Sequence, residues 1–298
     1  MSTLARPPSA GQGLPRPGRR GSARRMRRGI VYVLAKPPCP GQVKTRLCPP
    51  LTALQACLVA EAFATDTMTM LAAQDALEVR LALSEPGEVN QMPRLGEPGE
   101  MPGPGEPGGA PGAGEPLPPA HPGEPDRTAE SAGGGALRLR ELAQRLGVVV
   151  EAQGGGDLGA RMARLLERGL ATGLPTILVG TDSPDLPPAT VECAFAALGR
   201  VDAVLVPARD GGYVLIGASR PLAGLFEIDA PWSSARVFAA TCEALRREGC
   251  AFETLRTWED VDDAAALGRL AARLDDDSAA APATARLLEA WRRQGVRF

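Results

Sequence analysis

The sequence predicts an α/β domain, with a largely parallel sheet covered by helices on both faces. Short runs of β-branched and apolar residues alternate with longer segments whose apolar residues recur at helical spacing. The runs at 29–35 and 175–180 are almost wholly apolar, as strands buried on both faces are. Charged and glycine-rich motifs follow several of these strands, and sheets of this class bind ligands at the carboxyl ends of their strands.

In chain order, "GIVYVLA" (29–35) is the first buried strand. Residues 51–74 form a helix, with Leu51, Leu54, Leu58, Ala62 and Phe63 at helical spacing. "LEVRLALS" (77–84) is a second strand, "ALRLRELAQRLG" (136–147) a helix and "VVVEAQ" (148–153) a third strand. A helix over 157–173 leads to "PTILVGTDSPDL" (175–186), a buried strand that ends in acids. Residues 188–199 are helical, and "VDAVLVPARDGGYVLIGAS" (201–219) reads as two strands around a tight turn. A helix over 234–249, a last strand in "AFETLRTWEDVDD" with an acidic exit, and helical C-terminal residues complete the domain.

Two stretches stand outside it. Residues 1–28 hold eight arginines and no acid, and their composition reads as a disordered tail. Met26, directly before "RRGIVYVLAK", marks an alternative start. Residues 85–135 repeat GEP at irregular spacing, which breaks collagen's register and reads as a disordered insertion in a loop. The domain therefore runs over 29–298, interrupted by 85–135, and its ordered part of about 220 residues is the size of one domain.

Composition excludes several function classes. The tail carries +8 and the rest of the chain −10, which argues against nucleic acid as a partner. No apolar run reaches the length of a membrane span. The cysteines at 39, 48, 57, 193, 242 and 250 form no C-x-x-C pair and read as reduced thiols of a cytoplasmic protein. The single histidine, His121, lies in the insertion, so neither a Ser-His-Asp triad nor a histidine-held zinc is expected.

The motifs converge on one edge. Lys36, Lys44 and Arg46 follow the first strand in "AKPPCPGQVKTRL" (35–47), beside Gly41 and Thr45. They are a solvated basic turn or, better suited to that position, a phosphate clamp. The P-loop pattern is absent. Asp182 follows "TILVG" and is the leading metal contact, because Mg²⁺ or Mn²⁺ wants carboxylate and diphosphate oxygens together. Asp185 is read as the cap of the next helix and Asp229 as a second metal ligand. In "QGGGDLG", Gln153 offers a donor and an acceptor to a base edge, Gly155 and Gly156 permit close approach, and Asp157 caps the following helix. In "RDGGY", Asp210 either activates an acceptor or fixes its hydroxyl, with Gly211, Gly212 and Tyr213 around it. Trp232 is core or a stacking platform, and Ser233 and Ser234 sit at a helix start suited to anions.

The ordered set "AKPPCPGQVKTRL", "QGGGDLGARM", "VGTDSPDL", "ARDGGYVLIG", "PWSSARV" and "TWEDVDD" resembles a bacterial family of glycosyltransferase-A-like proteins. These are the selenodomain-associated transferases and arsenosugar-biosynthesis glycosyltransferases, similar in turn to 2-phospholactate guanylyltransferase and other nucleotidyltransferases. The resemblance spans residues 30 to roughly 275 outside the insertion. It implies a single Rossmann-like nucleotide-diphospho-sugar transferase (GT-A) domain. It further implies that Gln153 and the glycines after it hold the nucleobase. The "GGxSxRMG" loop of many nucleotidyltransferases is absent, and the acidic motif is "TDSPD" rather than D-x-D.

The function expected is glycosyl transfer from a nucleotide-diphosphate sugar to a small acceptor, with the metal at Asp182 and Asp229. Lys44 and Arg46 would steady the leaving diphosphate, with Asp210 as the acceptor-side catalytic group. Nucleotidyl transfer from a nucleoside triphosphate to a phosphorylated acceptor is the alternative. A non-catalytic nucleotide-sugar binding protein is the third reading. Small-molecule substrates are the expected partners, without nucleic acid or membrane, and oligomeric state is left open.

Overall fold

The computed structural model describes residues 28–84 and 127–298. The Arg-rich tail up to residue 27, with Met26, and the insertion over 85–126, with His121, lie outside the described residues.

Seven strands form one sheet: β1 (Gly29–Ala35), β2 (Leu77–Leu83), β3 (Val149–Ala152), β4 (Thr176–Gly180), β5 (Ala203–Pro207), β6 (Tyr213–Ala218) and β7 (Phe252–Thr254). Their spatial order is β3-β2-β1-β4-β6-β5-β7. All pairings are parallel except those of β6, which runs antiparallel to β4 and β5. The helices are α1 (Ala53–Ala72), α2 (Arg127–Leu146), α3 (Leu158–Leu170), α4 (Pro188–Leu198), α5 (Val237–Arg247), α6 (Ala264–Asp276) and α7 (Pro282–Arg293).

Strand residues alternate between two core layers. Val31, Val33, Val79 and Leu81 pack with Met68, Leu139 and Val191 on one face. Ile30, Tyr32 and Leu178 pack with Met162, Leu165 and Leu245 on the other. A third cluster joins α1 to α6 and α7 through Phe63, Leu267, Leu270, Leu288 and Trp291. Here α1 reaches across to fasten the last helix: both carboxylate oxygens of the buried Asp66 accept from the Ala283 and Thr284 amides at the start of α7, at 2.8 Å each.

The topology fixes where a ligand can sit. From β1 the chain passes through α1 to β2 on one side, whereas β4 lies on the other side of β1, in register Ile30↔Thr176 to Leu34↔Gly180. The strand order reverses between β1 and β4, and a crevice opens beyond their carboxyl ends. Because β6 is antiparallel to β4, the start of β6 and the turn before it come to the same edge.

Several sequence expectations change. The insertion was expected to extend to residue 135, yet α2 begins at Arg127, so the "GGG" of 133–135 is helical. Gly135 packs against the carbonyl of Pro38, where a Cβ would overlap it, so this glycine serves helix–loop contact rather than linker freedom. Leu54 and Leu58 point outward, and Ala56, Val59 and Phe63 form the buried face of α1. Thr52 and Gln55 close a capping box at the start of α1. The last strand is only three residues long plus an isolated bridge between Ala208 and Trp258, because the chain leaves the sheet to carry its acids toward the cleft.

Candidate active site

An open cleft of about 550 Å³ lies over the carboxyl ends of β1 and β4. Lys36, Lys44 and Arg46 line it from the β1 side, Gln153 from β3, and Asp182 from β4. Asp210, Gly212, Tyr213, Trp232 and Ser233 line the opposite side. Most of the predicted residues thus meet in one place. Gly155, Gly156, Gly211 and the exposed Asp229 do not line the cleft.

Lys44 differs from the sequence expectation. Its side chain is only 7% exposed, and its ammonium lies 2.7 Å from Asp182 Oδ1, 3.0 Å from Asp262 Oδ1 and 2.7 Å from the Val261 carbonyl. An ammonium has three protons, and these three acceptors take them all, so Lys44 has no donor left for a phosphate in this arrangement. Burial alone would lower its pKa, but Asp182 and Asp262 outweigh burial and hold it above the usual lysine value. The ring of Phe63 lies beneath it, 5.7 Å from the nitrogen. The Lys44 backbone is left-handed (φ 48°, ψ 37°), a conformation that costs a non-glycine residue about 1–2 kcal/mol. The three bonds and the burial offset that cost. Arg46, 72% exposed and 3.9 Å from Asp262 Oδ2, and the exposed Lys36 remain available to a ligand.

Beside them the carboxylates of Asp210, Asp260 and Asp262 bring oxygens within 4.8 Å of one another. Asp260 is pushed up to about 6, first by burial and then by the negative charges of Asp210, Asp262 and Asp182. Three hard oxygen donors at this spacing fit a divalent cation such as Mg²⁺ or Mn²⁺. Asp210 also accepts from the Gly212 amide at 2.8 Å, which shapes its turn. Gly211, at φ 93°, lets that turn press on the Ala235 carbonyl, where a Cβ would overlap.

Behind the cleft a separate charge network braces the loops that carry these acids. Arg273 of α6 joins Asp185 (2.7 Å) to Glu259, and Arg269 takes the other Glu259 oxygen at 2.7 Å. The Trp258 indole donates to Asp185 at 3.2 Å. Ser183 Oγ donates to the Glu259 carbonyl at 2.9 Å, and the Val261 amide to the Asp182 carbonyl at 2.8 Å. Asp185 is therefore a brace, not the cap of α4, whose N-cap is Pro187 with no side-chain bond. Helix α4 starts with proline, which lacks an N–H to be capped.

The remaining candidates divide. The buried Gln153 spends both amide protons on the carbonyls of Ala35 (3.2 Å) and Ala82 (2.9 Å), tying the ends of β1 and β2 together. Only its amide oxygen remains for a ligand. Asp157 caps α3 by accepting from Ala160 at 2.8 Å, as expected. Burial pushes the Tyr213 phenol well above its usual pKa, so it is a neutral wall rather than a base. Trp232 is half-buried in the second core layer, 6.2 Å from the Phe226 ring. Helix α5 starts at Val237, so Ser233 and Ser234 lie in the turn before it rather than at its first residues.

Asp260 and Asp262 were absent from the predicted site, although the motif "TWEDVDD" that holds them was singled out. Their signal was an acid run after a strand, the same signal that exposed Asp182.

A solved structure shares this architecture over nearly its whole length. It is a protein proposed to be a nucleotide-diphospho-sugar transferase, from Desulfovibrio desulfuricans G20. It is 25% identical, with a TM-score of 0.66, and the match covers 90% of this chain and 96% of that one. A cytidylyltransferase from Leptospira borgpetersenii serovar Hardjo-bovis (strain JB197) aligns at 12% identity and a TM-score of 0.46, over 91% of this chain and 95% of that one. The protein thus has an α/β fold of the nucleotide-diphospho-sugar transferase kind. Residues 124–234 also match the model of a family described as an uncharacterized protein conserved in bacteria (DUF2064). No curated protein matches the sequence.

Proposed function

We propose that the protein is a transferase that binds a nucleotide-diphosphate sugar in this cleft and passes the sugar to a small acceptor. One observation carries the reading. Exposed cations, Lys36 and Arg46, line the cleft together with the Asp210–Asp260–Asp262 cluster, Arg46 lying 3.9 Å from Asp262. A diphosphate needs both: guanidinium and ammonium donors on its oxygens, and a divalent ion shared with protein carboxylates. The expected ion is Mg²⁺ or Mn²⁺, held by Asp210, Asp260 and Asp262 beside Asp182. When bound, it would stabilise negative charge on the departing diphosphate. Arg46 and Lys36 orient the phosphates, Gln153 offers its amide oxygen toward a base, and Asp210 receives or orients the acceptor hydroxyl.

On its six ordered motifs we place the chain with the selenodomain-associated and arsenosugar transferases. Cytoplasmic small-molecule chemistry, without nucleic acid or membrane, belongs to the same reading. Among the described residues no helix is long and apolar enough to cross a membrane.

The test is a thermal-shift and calorimetric screen of nucleosides, nucleoside diphosphates and nucleotide sugars, with and without Mn²⁺. A true ligand at a hundred times its Kd should stabilise by about 2.7 kcal/mol. Diphosphates that bind no better than their nucleosides would sink the reading.

A further inference from the structure

The chain holds two lysines among 33 basic side chains, and both line the cleft. Everywhere else it uses arginine. A planar guanidinium forks toward two parallel acceptors, whereas an ammonium is a compact point charge whose protons diverge to three. Lys44 meets that second geometry: Asp182 Oδ1, Asp262 Oδ1 and the Val261 carbonyl surround it at 2.7–3.0 Å. Its partner carboxylates are 49% and 38% exposed, so the acids face the cleft while the cation is buried behind them. Asp262 is also one of the three carboxylates that fit a divalent cation. Lysine and metal therefore both draw on the Asp262 carboxylate.

We propose that Lys44 is the resident cation of the acid cluster, and that a divalent ion enters by displacing its ammonium from Asp262 and Asp182. Entry of the ion and release of Lys44 are one event. The freed ammonium, on a left-handed backbone with Arg46 two residues on, becomes a third cation for the diphosphate. This last step rests on the proposed function; the exchange itself does not. The loop motif thereby keeps its phosphate role, but only in the metal-loaded protein. Without metal, the cluster holds its own counter-ion and the loop stays fastened to the 258–262 segment.

Two experiments on the full chain test the exchange without any nucleotide. Calorimetric titration with Mn²⁺ should give a Kd about tenfold tighter for Lys44→Met than for the parent, because the competing charge is gone. Lys36→Met, which removes a lining cation that the acids do not hold, should stay within about threefold of the parent. An unchanged or weaker Kd for Lys44→Met, or an equal gain in Lys36→Met, overturns the proposal. The second experiment needs no variant. With only two lysines, amine labelling read by peptide mass spectrometry resolves each one. In chelator Lys36 should label about tenfold faster than Lys44, and saturating Mn²⁺ should raise the Lys44 rate by about threefold or more, burial being what protects it. A Lys44 rate indifferent to Mn²⁺ overturns the exchange even where Lys44→Met does not fold. If the exchange holds but diphosphates fail to bind, the proposed function is wrong and the exchange stands.

Discussion

Asp185 and Glu259 lie behind the cleft, where Arg273 spans them and Arg269 completes the pairing. Asp210, Asp260 and Asp262 lie at its mouth, with oxygens within 4.8 Å of one another, and among the described residues only Lys44 and the distant edge of Arg46 bring a cation to Asp262. Both groups come from overlapping stretches of chain; Glu259 and Asp260 are adjacent residues. Successive side chains on an extended segment face opposite ways, so one carboxylate turns to the arginines of α6 and the next to solvent and ligand. The back group is neutralised and holds loops together. The front group keeps surplus negative charge, which a folded chain retains only where some other cation can compensate it.

Breaking the back group should have the largest effect. Arg273→Met leaves Asp185 and part of Glu259 buried without a cation, Asp185 keeping only the Trp258 indole, and should cost about 2–4 kcal/mol, below the usual range for a wholly buried pair because Arg269 stays and Arg273 is partly exposed. Urea unfolding measures it. A loss under about 0.5 kcal/mol would make the network a surface ornament.

Arg46→Ala acts at the exposed edge of the front group and leaves the fold alone. Being exposed, Arg46 should contribute about a factor of ten to diphosphate affinity, less than a buried charge-assisted bond would. Nucleoside affinity should not change. Equal diphosphate affinities in mutant and parent would return the loop to a solvated turn.

The two adjacent acids should respond to pH with opposite sign. Asp260 has its folded pKa raised from 3.8 to about 6, so the native state holds that proton more tightly and metal-free stability falls as pH rises through that window. Asp260→Asn should remove the fall and, at neutral pH, be about 1 kcal/mol more stable than the parent, the full shift being reduced by solvent screening. Glu259 has its pKa lowered: burial opposes this, but Arg269 and Arg273 outweigh burial. Its stabilisation is present above its unfolded value of 4.5 and is lost as pH falls through the lower folded value. Glu259→Gln should therefore be less stable than the parent at neutral pH and converge on it in acid. Denaturant midpoints across pH read both; slopes of the same sign would erase the distinction.

The smallest effect is expected at Asp229. Outside the cleft lining, Asp229→Asn should leave Mn²⁺ and diphosphate affinity within about twofold of the parent, as surface charge changes do. A larger loss by calorimetry would restore the metal role that the sequence suggested.

The fold was legible because buried strands and amphipathic helices differ in period, and from β1 to α5 every element except the start of α2 emerges near its expected bounds. The β1 and β4 exits were legible too, since charge after a buried strand has few purposes. Asp260 and Asp262 were harder. They follow a three-residue strand by a six-residue loop, and nothing local says that this loop turns back over Asp182. Direction was invisible as well. That Lys44 points at acids and Gln153 at backbone carbonyls is decided by tertiary neighbours 71 or more residues away in the chain.

The order in which these parts are made has its own consequence. Synthesis runs from the first strand onward, so every cleft acid from Asp182 to Asp262 exists before Arg269 and Arg273 do. The helix carrying those arginines is itself followed by α7, which Asp66 grips from the opposite end of the chain. On the ribosome, the growing polypeptide thus holds Asp185 and Glu259 without their arginines until α6 arrives. The loops that carry the cleft acids are braced only after the acids themselves are made.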